Sequence, residues 1–427
     1  MSTRARAERR ALPVELVSEI IDIVAPQESN NPHPVTYMSN ADQEAFRTLV
    51  AASLVSHSWN AVCRRHIFHT VFMFSSNTST RLSFLHFQAP HLAEYIRRLY
   101  VWWNDDDPRP ASECQWLAEC LYRMKNFREL ILVSILAGLP TERRILAAGA
   151  MPILYASRLR KLSLRDWDFA EDAYDLPGML SPTLEELVLE NIRTENIEME
   201  APPTTHLAAL RRLVLVDTVH PMLSAENIIE CRCLQYLELQ WLHDTDSWNM
   251  PPWIPASLSE FALISSSRCA LPNFGQTIRP SVVKVTLFGN YGPLSGLFTW
   301  IKDCIDRLPF PNLIKVLKIS ILKSFSTPTG VDGFLPETSD YEMLSRFLQP
   351  LWRDGVLENF ALTIITSIDG DHDVAPDSAR ESVKLNAAFA GLLPANVSDV
   401  RFIVGEQFNF RMTRATVVDM RWGIQRL

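Results

Sequence analysis

The sequence predicts a mixed α/β chain in which a small N-terminal module of three helices precedes an irregular repeat solenoid built on a curved parallel sheet. Two observations carry this. The pattern Leu-x-x-Leu-x-Leu, or a close apolar equivalent, recurs eleven times, and ahead of its first copy lies a short helical segment opening with Leu12-Pro13. A chain of 427 residues ordinarily suggests two or three domains, but a repeat array evades that count because each unit needs only its neighbours to bury its apolar face. The expected organisation is a disordered basic tail over residues 1–10, the helical module over 11–74 with an inserted loop at 26–40, and the solenoid over 75–427.

Composition bounds the function. With 47% hydrophobic and 21% charged residues the chain has the balance of an ordinary folded protein with a sizeable core. A formal net charge of -8 supplies no general attraction for nucleic acid. Arg4, Arg6, Arg9 and Arg10 crowd the start, but no apolar face accompanies them, so they read as a solvated tail. No apolar run approaches the roughly 18 residues that span a bilayer, and no secretory h-region follows the start. The expectation is a soluble cytoplasmic or nuclear protein with no membrane partner. Without a signal peptide, the sequons at Asn77-Thr78-Ser79 and Asn396-Val397-Ser398 read as coincidence. Seven scattered cysteines do not make a disulfide framework. Only 14 glycines are present, and phosphate cradles and nucleophile elbows need glycine to bring backbone close to a ligand, so nucleotide chemistry is disfavoured.

In the N-terminal module, Pro13 suits the first turn of a helix, and Val17, Ile20, Ile21 and Val24 follow at helical spacing up to Pro26. From Pro26 to Asn40, with Pro32 and Pro34 among asparagines and serines, no apolar period exists and a loop is expected. A second helix carries Phe46, Leu49, Val50 and Leu54. Ser56 can cap a third, in which Trp59, Val62, Cys63 and His66 recur at intervals of three and four before Ile67 and Phe68 close it. Three short helices this rich in apolar residues cannot bury them all among themselves, so part of the surface should face a partner.

Leu12-Pro13-x-Glu15-Leu16, Ile20, Leu54-Val55-Ser56-x-x-Trp59 and Phe68 resemble an F-box. The resemblance implies a helical module that docks on the Skp adaptor and, through it, on a cullin scaffold and ubiquitin transfer. By that resemblance Leu12, Pro13, Leu16, Ile20, Val55 and Trp59 would form or support the docking face. The chain departs from the family pattern in its loop at 26–40, which separates helices normally joined more closely. A different role for the same three helices is a cap over the open end of the solenoid, which repeat arrays require.

The repeats begin at Ile96, Phe127, Leu159, Leu184, Leu210, Leu234, Leu258, Val282, Ile314, Leu357 and Val397. From Leu159 to Val282 the steps are 24 to 26 residues, and the array resembles leucine-rich repeats, whose period is roughly 20 to 29. Alternation puts the marked apolar residues on one face of each strand and the intervening ones on the other. In the copy at Leu159 this leaves Lys161, Ser163 and Arg165 on the open side. Segments such as Trp116, Leu117, Cys120, Leu121 and Met124, or Leu297, Trp300, Ile301, Cys304, Ile305 and Leu308, should form packing helices between strands. The asparagine that usually follows the third leucine is absent: Trp167, Ile192, Thr218 and Leu242 occupy that offset.

A curved solenoid sets side chains of successive repeats beside one another, which suits recognition of a protein segment on its concave face. The candidate target-binding residues are Arg98, Tyr100 and Trp102, then Lys161 and Arg165, Glu186 and Glu190, and Tyr236, Glu238 and Gln240. Their charges change from copy to copy, which argues against a uniform polyanion groove. Tyr100, Trp102 and Tyr236 are of the type that anchors interfaces.

Other constellations fail on chemistry. Asp369-Gly370-Asp371-His372-Asp373 has the carboxylate alternation of a calcium loop, but Val374 and Arg380 stand where glycine and the bidentate glutamate belong. Cys231-x-Cys233 lacks a second ligand pair, and His66 with His69 lacks a third ligand. Gly292-Pro293-Leu294-Ser295-Gly296 lacks nucleophile-elbow spacing, and Asp105-Asp106-Asp107 reads as an exposed turn. No catalytic residue, metal or cofactor is expected. The resemblance implies the substrate-receptor subunit of a Skp/cullin/F-box ubiquitin ligase. The alternative is a recognition scaffold whose helical segment caps the solenoid or binds the adaptor without cullin. An unrecognised enzyme would need clustered titratable groups with perturbed pKa, which the linear sequence does not display.

Overall fold

The computed structural model describes residues 12–25, 40–73, 78–104, 111–135, 158–165, 180–192, 205–218, 229–241, 253–266, 278–289, 294–325, 338–353, 356–368 and 399–405. The tail at 1–10, most of the loop at 26–40, and Asn77, Asp105 to Asp107, Trp167, Leu242, Asp369 to Asp373 and Asn396 lie outside them. The chain divides into two compact units, Met1–Leu159 and Arg160–Leu427.

The first unit opens with α1 (Val14–Val24), α2 (Asn40–Ser53) and α3 (His57–Ile67). Pro13 stands just outside α1, at φ -53° and ψ 141°, and its carbonyl accepts the Val17 amide at 3.1 Å. It therefore caps the helix one position earlier than its spacing predicts, where its missing amide hydrogen is equally harmless. Ala25 turns extended ahead of Pro26, because a residue before proline is pushed out of the helical region. Ser56 caps α3 as expected, its hydroxyl accepting the Trp59 amide at 3.4 Å. Val17, Ile21, Leu49, Val62 and Cys63 form the core between the helices, and Val24, Ala52, Trp59 and Ile67 pack against it.

Three strands follow in the same unit: β1 (Thr70–Met73), β2 (Arg98–Asn104) and β3 (Glu129–Ile135), each parallel to the next. Between β1 and β2 run α4 (Thr78–Ser83), a π-helical turn at Phe84–Gln88 and a 3-10 turn at Pro90–Tyr95. Between β2 and β3 runs α5 (Ala111–Arg123), whose Leu117, Cys120 and Leu121, with Met124 just beyond, are buried as their spacing predicts.

The second unit contains β4 (Lys161–Arg165), β5 (Glu186–Glu190), β6 (Thr205–His206), β7 (Arg212–Val216), β8 (Ile229–Glu230), β9 (Tyr236–Trp241), β10 (Glu260–Ser266), β11 (Val282–Gly289), β12 (Val316–Phe325), β13 (Asn359–Ile368) and β14 (Asp399–Gly405). All but β6 and β8, which pair with each other, lie in one parallel sheet in the order of the chain. Parallel neighbours demand a crossover at every step. Two crossovers contain α6 (Leu294–Asp306) and α7 (Thr338–Arg353). Phe298, Ile301, Cys304 and Ile305 of α6 are buried.

Every predicted copy coincides with a strand of one unit or the other, and the first apolar residue generally stands two positions ahead of it: Leu159, Leu184, Leu210, Leu234 and Leu258 are all buried there. The copy assigned to Val282 is displaced. The register pairs Glu260 with Val282 and Phe261 with Val283, so Pro280, not Val282, holds the place of Leu258. Pro280 is buried, while Val282 points to the opposite face and is half-buried. A proline is tolerated there because the position precedes the strand and no ladder amide is needed from it.

Two strand ends are closed by left-handed turns and one side-chain hydroxyl. Asn191 and Asp217 take positive φ, 52° and 42°, and turn the chain directly after β5 and β7. The next residues are Ile192 and Thr218, both buried. The Thr218 hydroxyl lies 3.0 Å from the Leu189 carbonyl and 2.8 Å from the Val216 carbonyl, and accepts the Ile192 amide at 3.5 Å. The Asn191 amide donates to Val216 O at 2.7 Å and the Asp217 amide to Gln240 O at 2.9 Å. One hydroxyl and two left-handed turns thus hold adjacent loops together. No described helix is long and apolar enough to cross a membrane.

Candidate functional surfaces

Two surfaces carry the candidate residues. The first belongs to the helical module. Inward positions Val17, Ile21 and Val24 alternate around α1 with Leu16, Ile20 and Ile23, which face out. Leu16 and Ile20 stand four residues apart on one side of α1, with Leu12 just ahead of the helix, and the three retain 45%, 40% and 50% of their surface in contact with solvent. Pro13 is exposed as well. The turn from α2 to α3 presents Leu54 and Val55, 81% and 67% exposed. Exposure on this scale is the opposite of what apolar side chains adopt when a core is available, and this module already has one. Trp59 differs from the other five residues, since it leans on the core and supports the module from within. His66 Nε2 reaches Asp22 Oδ1 at 3.1 Å and so ties α3 to α1, while His69 Nδ1 lies 3.2 Å from Thr70 Oγ1.

The second surface is the polar face of the strands. In the first unit Arg98 pairs with Glu129 across β2 and β3 at 2.9 Å. Tyr100 is buried instead of open, because its ring stacks on Phe72 of the neighbouring strand at 4.8 Å and 16°. Trp102 lies two residues further along β2.

In the second unit the strand register converts scattered charges into a ladder. Lys161, Glu186, Arg212, Tyr236 and Glu260 are successive partners from β4 to β10. Glu186 sits 3.4 Å from Lys161 on one side and 3.4 Å from Arg212 on the other. Arg212 continues to Glu238 at 3.5 Å and covers the Tyr236 ring at 4.4 Å. The Tyr236 hydroxyl donates to Glu238 Oε2 at 2.5 Å. Lys284 of β11 pairs with Glu260 and reaches over the Tyr236 ring from the other side. A parallel rung joins Arg165 to Glu190 at 3.1 Å, and Gln240 lies further along the same row. Beneath the charges, Val188, Val214 and Ala262 form a buried middle row.

The ladder is electrically closed. Lys161, Arg212 and Lys284 face Glu186, Glu238 and Glu260. Burial pushes the Tyr236 phenol well above its ordinary range, and the Glu238 carboxylate pushes it further, so the ring stays a neutral donor. Arg212, Glu260 and Lys284 were absent from the predicted set. For Arg212 and Glu260 the signal lies in the sequence: two places after the first leucine of five successive copies stand Lys161, Glu186, Arg212, Tyr236 and Glu260, whose charges alternate in sign apart from the neutral tyrosine.

Among the described residues no group of three His, Cys, Asp or Glu side chains could hold a metal ion. Cys231 is buried and its thiol is pushed up to about 12 by burial, while Cys233 is exposed. The helical surface offers exposed apolar area and the sheet surface charged and hydrogen-bonding side chains. No family model and no curated protein matches this chain.

Proposed function

We propose that this chain is a substrate-receptor subunit of a Skp/cullin/F-box ubiquitin ligase. Its N-terminal helices bind the Skp adaptor through Leu12, Pro13, Leu16, Ile20 and Val55, with Trp59 holding the module in shape. The polar face of the second unit's sheet takes up a protein target, on a solenoid that belongs with irregular leucine-rich repeats. The chain performs no bond chemistry of its own. It raises the local concentration of a target lysine near a ubiquitin-carrying enzyme, so that catalysis is proximity.

The observation that carries this reading is the exposed apolar pair Leu16 and Ile20 on α1, with Leu12 just ahead of it, left open on a module that has a separate closed core. A helical cap that merely shielded the end of a repeat array would turn such a pair inward. The test is a pull-down of the full chain with a Skp adaptor, comparing wild type with a Leu16→Ser, Ile20→Ser variant. Capture lost in the variant, with its helical circular dichroism unchanged, supports the docking face. Capture equal in both overturns it. With a cullin added to the same pull-down, capture of the adaptor but not of the cullin would favour instead a recognition scaffold outside the ligase.

A further inference from the structure

Charges on the polar face of the second unit follow one rule, alternation from strand to strand, and they break it once. Among the described residues the register pairs opposite charges or a charge with a neutral residue everywhere except between β11 and β12, where Lys284 stands directly beside Lys318. Even the row at the strand entrances obeys the rule, with Arg160 against Glu185 at 3.4 Å and Lys315 against Glu358 at 3.1 Å. Neighbouring strands are about 4.8 Å apart, and like charges at that separation cost stability unless an anion intervenes. Lys284 has its anion in Glu260. Lys318 is exposed and has no ion partner among the described residues. The hydroxyl-bearing Thr286 and Ser320 occupy the next outward positions of the same two strands.

We propose that the Lys284 and Lys318 pair is the docking point for a single carboxylate, an aspartate or glutamate side chain of the protein segment held on this face. The proposal rests on the target-binding reading of the sheet and deepens it by stating the charge of the target. The local count sets the valence. Glu260 and Lys284 neutralise each other, so one positive charge remains at Lys318, and one carboxylate between the lysines extends the alternation by a step. A phosphoryl group would bring close to two negative charges beside Glu260 and would meet two ammonium groups instead of the forked guanidinium that matches its geometry. Partly exposed Ser320 supplies a hydroxyl donor for the second carboxylate oxygen.

The experiment is selection of a displayed random twelve-residue peptide library on the full chain, followed by fluorescence anisotropy with the synthetic selected peptide. Peptides that compete with the sheet face are recognised by loss of binding to Tyr236→Ala. Wild type should enrich peptides carrying aspartate or glutamate. Lys318→Glu should weaken the chosen peptide by at least about tenfold, and replacing that peptide's acid by lysine should recover binding to Lys318→Glu. Binding that needs Tyr236 but ignores Lys318→Glu overturns the carboxylate site while leaving the target face standing. Tighter binding of the peptide with phosphoserine in place of its acid also overturns it. If no selected peptide depends on Tyr236, the target-face reading fails and the carboxylate site with it.

Discussion

Replacing Thr218 by valine keeps the shape of a buried side chain and removes a side-chain oxygen that joins two loops. Thr218 is only 4% exposed, and its hydroxyl meets the Leu189 and Val216 carbonyls and the Ile192 amide. Losing the donated hydrogen bond costs about 1 kcal/mol, and leaving the Ile192 amide without its acceptor adds about 1 to 2 kcal/mol. Burying a methyl in place of the hydroxyl returns about 0.8 kcal/mol. The net loss is about 1 to 2 kcal/mol, which for a large domain corresponds to a fall in melting temperature of roughly 3 to 6 °C. The assay is differential scanning calorimetry of Thr218→Val against wild type, with amide exchange followed at Ile192. An unchanged melting temperature together with unchanged protection of Ile192 would show that the hydroxyl does not join the two loops, and the account of the strand ends would fail.

The helical module makes a divided prediction. Trp59→Ala opens the core and should cost about 3 kcal/mol of module stability, whereas Leu16→Ser and Ile20→Ser should leave thermal unfolding within about 0.5 kcal/mol of wild type, as followed by circular dichroism. Alkylation of the native protein by iodoacetamide at pH 8 should modify Cys233 and spare Cys231 and Cys120, whose thiols burial pushes up to about 12 and about 11, as peptide mass mapping would reveal. Glu94, hydrogen-bonded to Lys125 at 2.8 Å, is held below its ordinary carboxyl value by that lysine. Because its folded value is the lower one, its contribution to stability is present above the unfolded value and disappears as pH falls through the folded value. NMR titration should place its midpoint below that of Glu94 in the Lys125→Met variant.

The strands were legible because their signal is local. Leu162 and Leu164, or Leu187 and Leu189, announce a buried face through alternation alone, and the capping of α3 by Ser56 needs only four consecutive positions. The copy at Val282 misled because proline does not count as a repeat leucine, although Pro280 is buried in that place. The neutral ladder was hidden for a different reason. Glu186 and Arg212 are separated along the chain by a whole repeat, and only the hydrogen-bond register brings them to 3.4 Å. Taken singly, Lys161 and Glu186 look like open contacts for a target, but they contact each other. Tyr100 was misplaced similarly, since nothing near it in sequence reveals that Phe72 lies beside it. The sequence assigns Trp59 to forming or supporting the helical surface without distinguishing the two, and only its packing against the core shows that it points inward.

The central claim is that the apolar stripe on α1 connects this chain to a cullin. Its most direct test is co-expression of the full chain with a Skp adaptor and a cullin, followed by size-exclusion chromatography, with the Leu16→Ser, Ile20→Ser variant alongside. The account predicts a ternary complex for wild type and a free, folded chain for the variant. A wild-type chain that elutes alone, folded and apart from both partners, would contradict it.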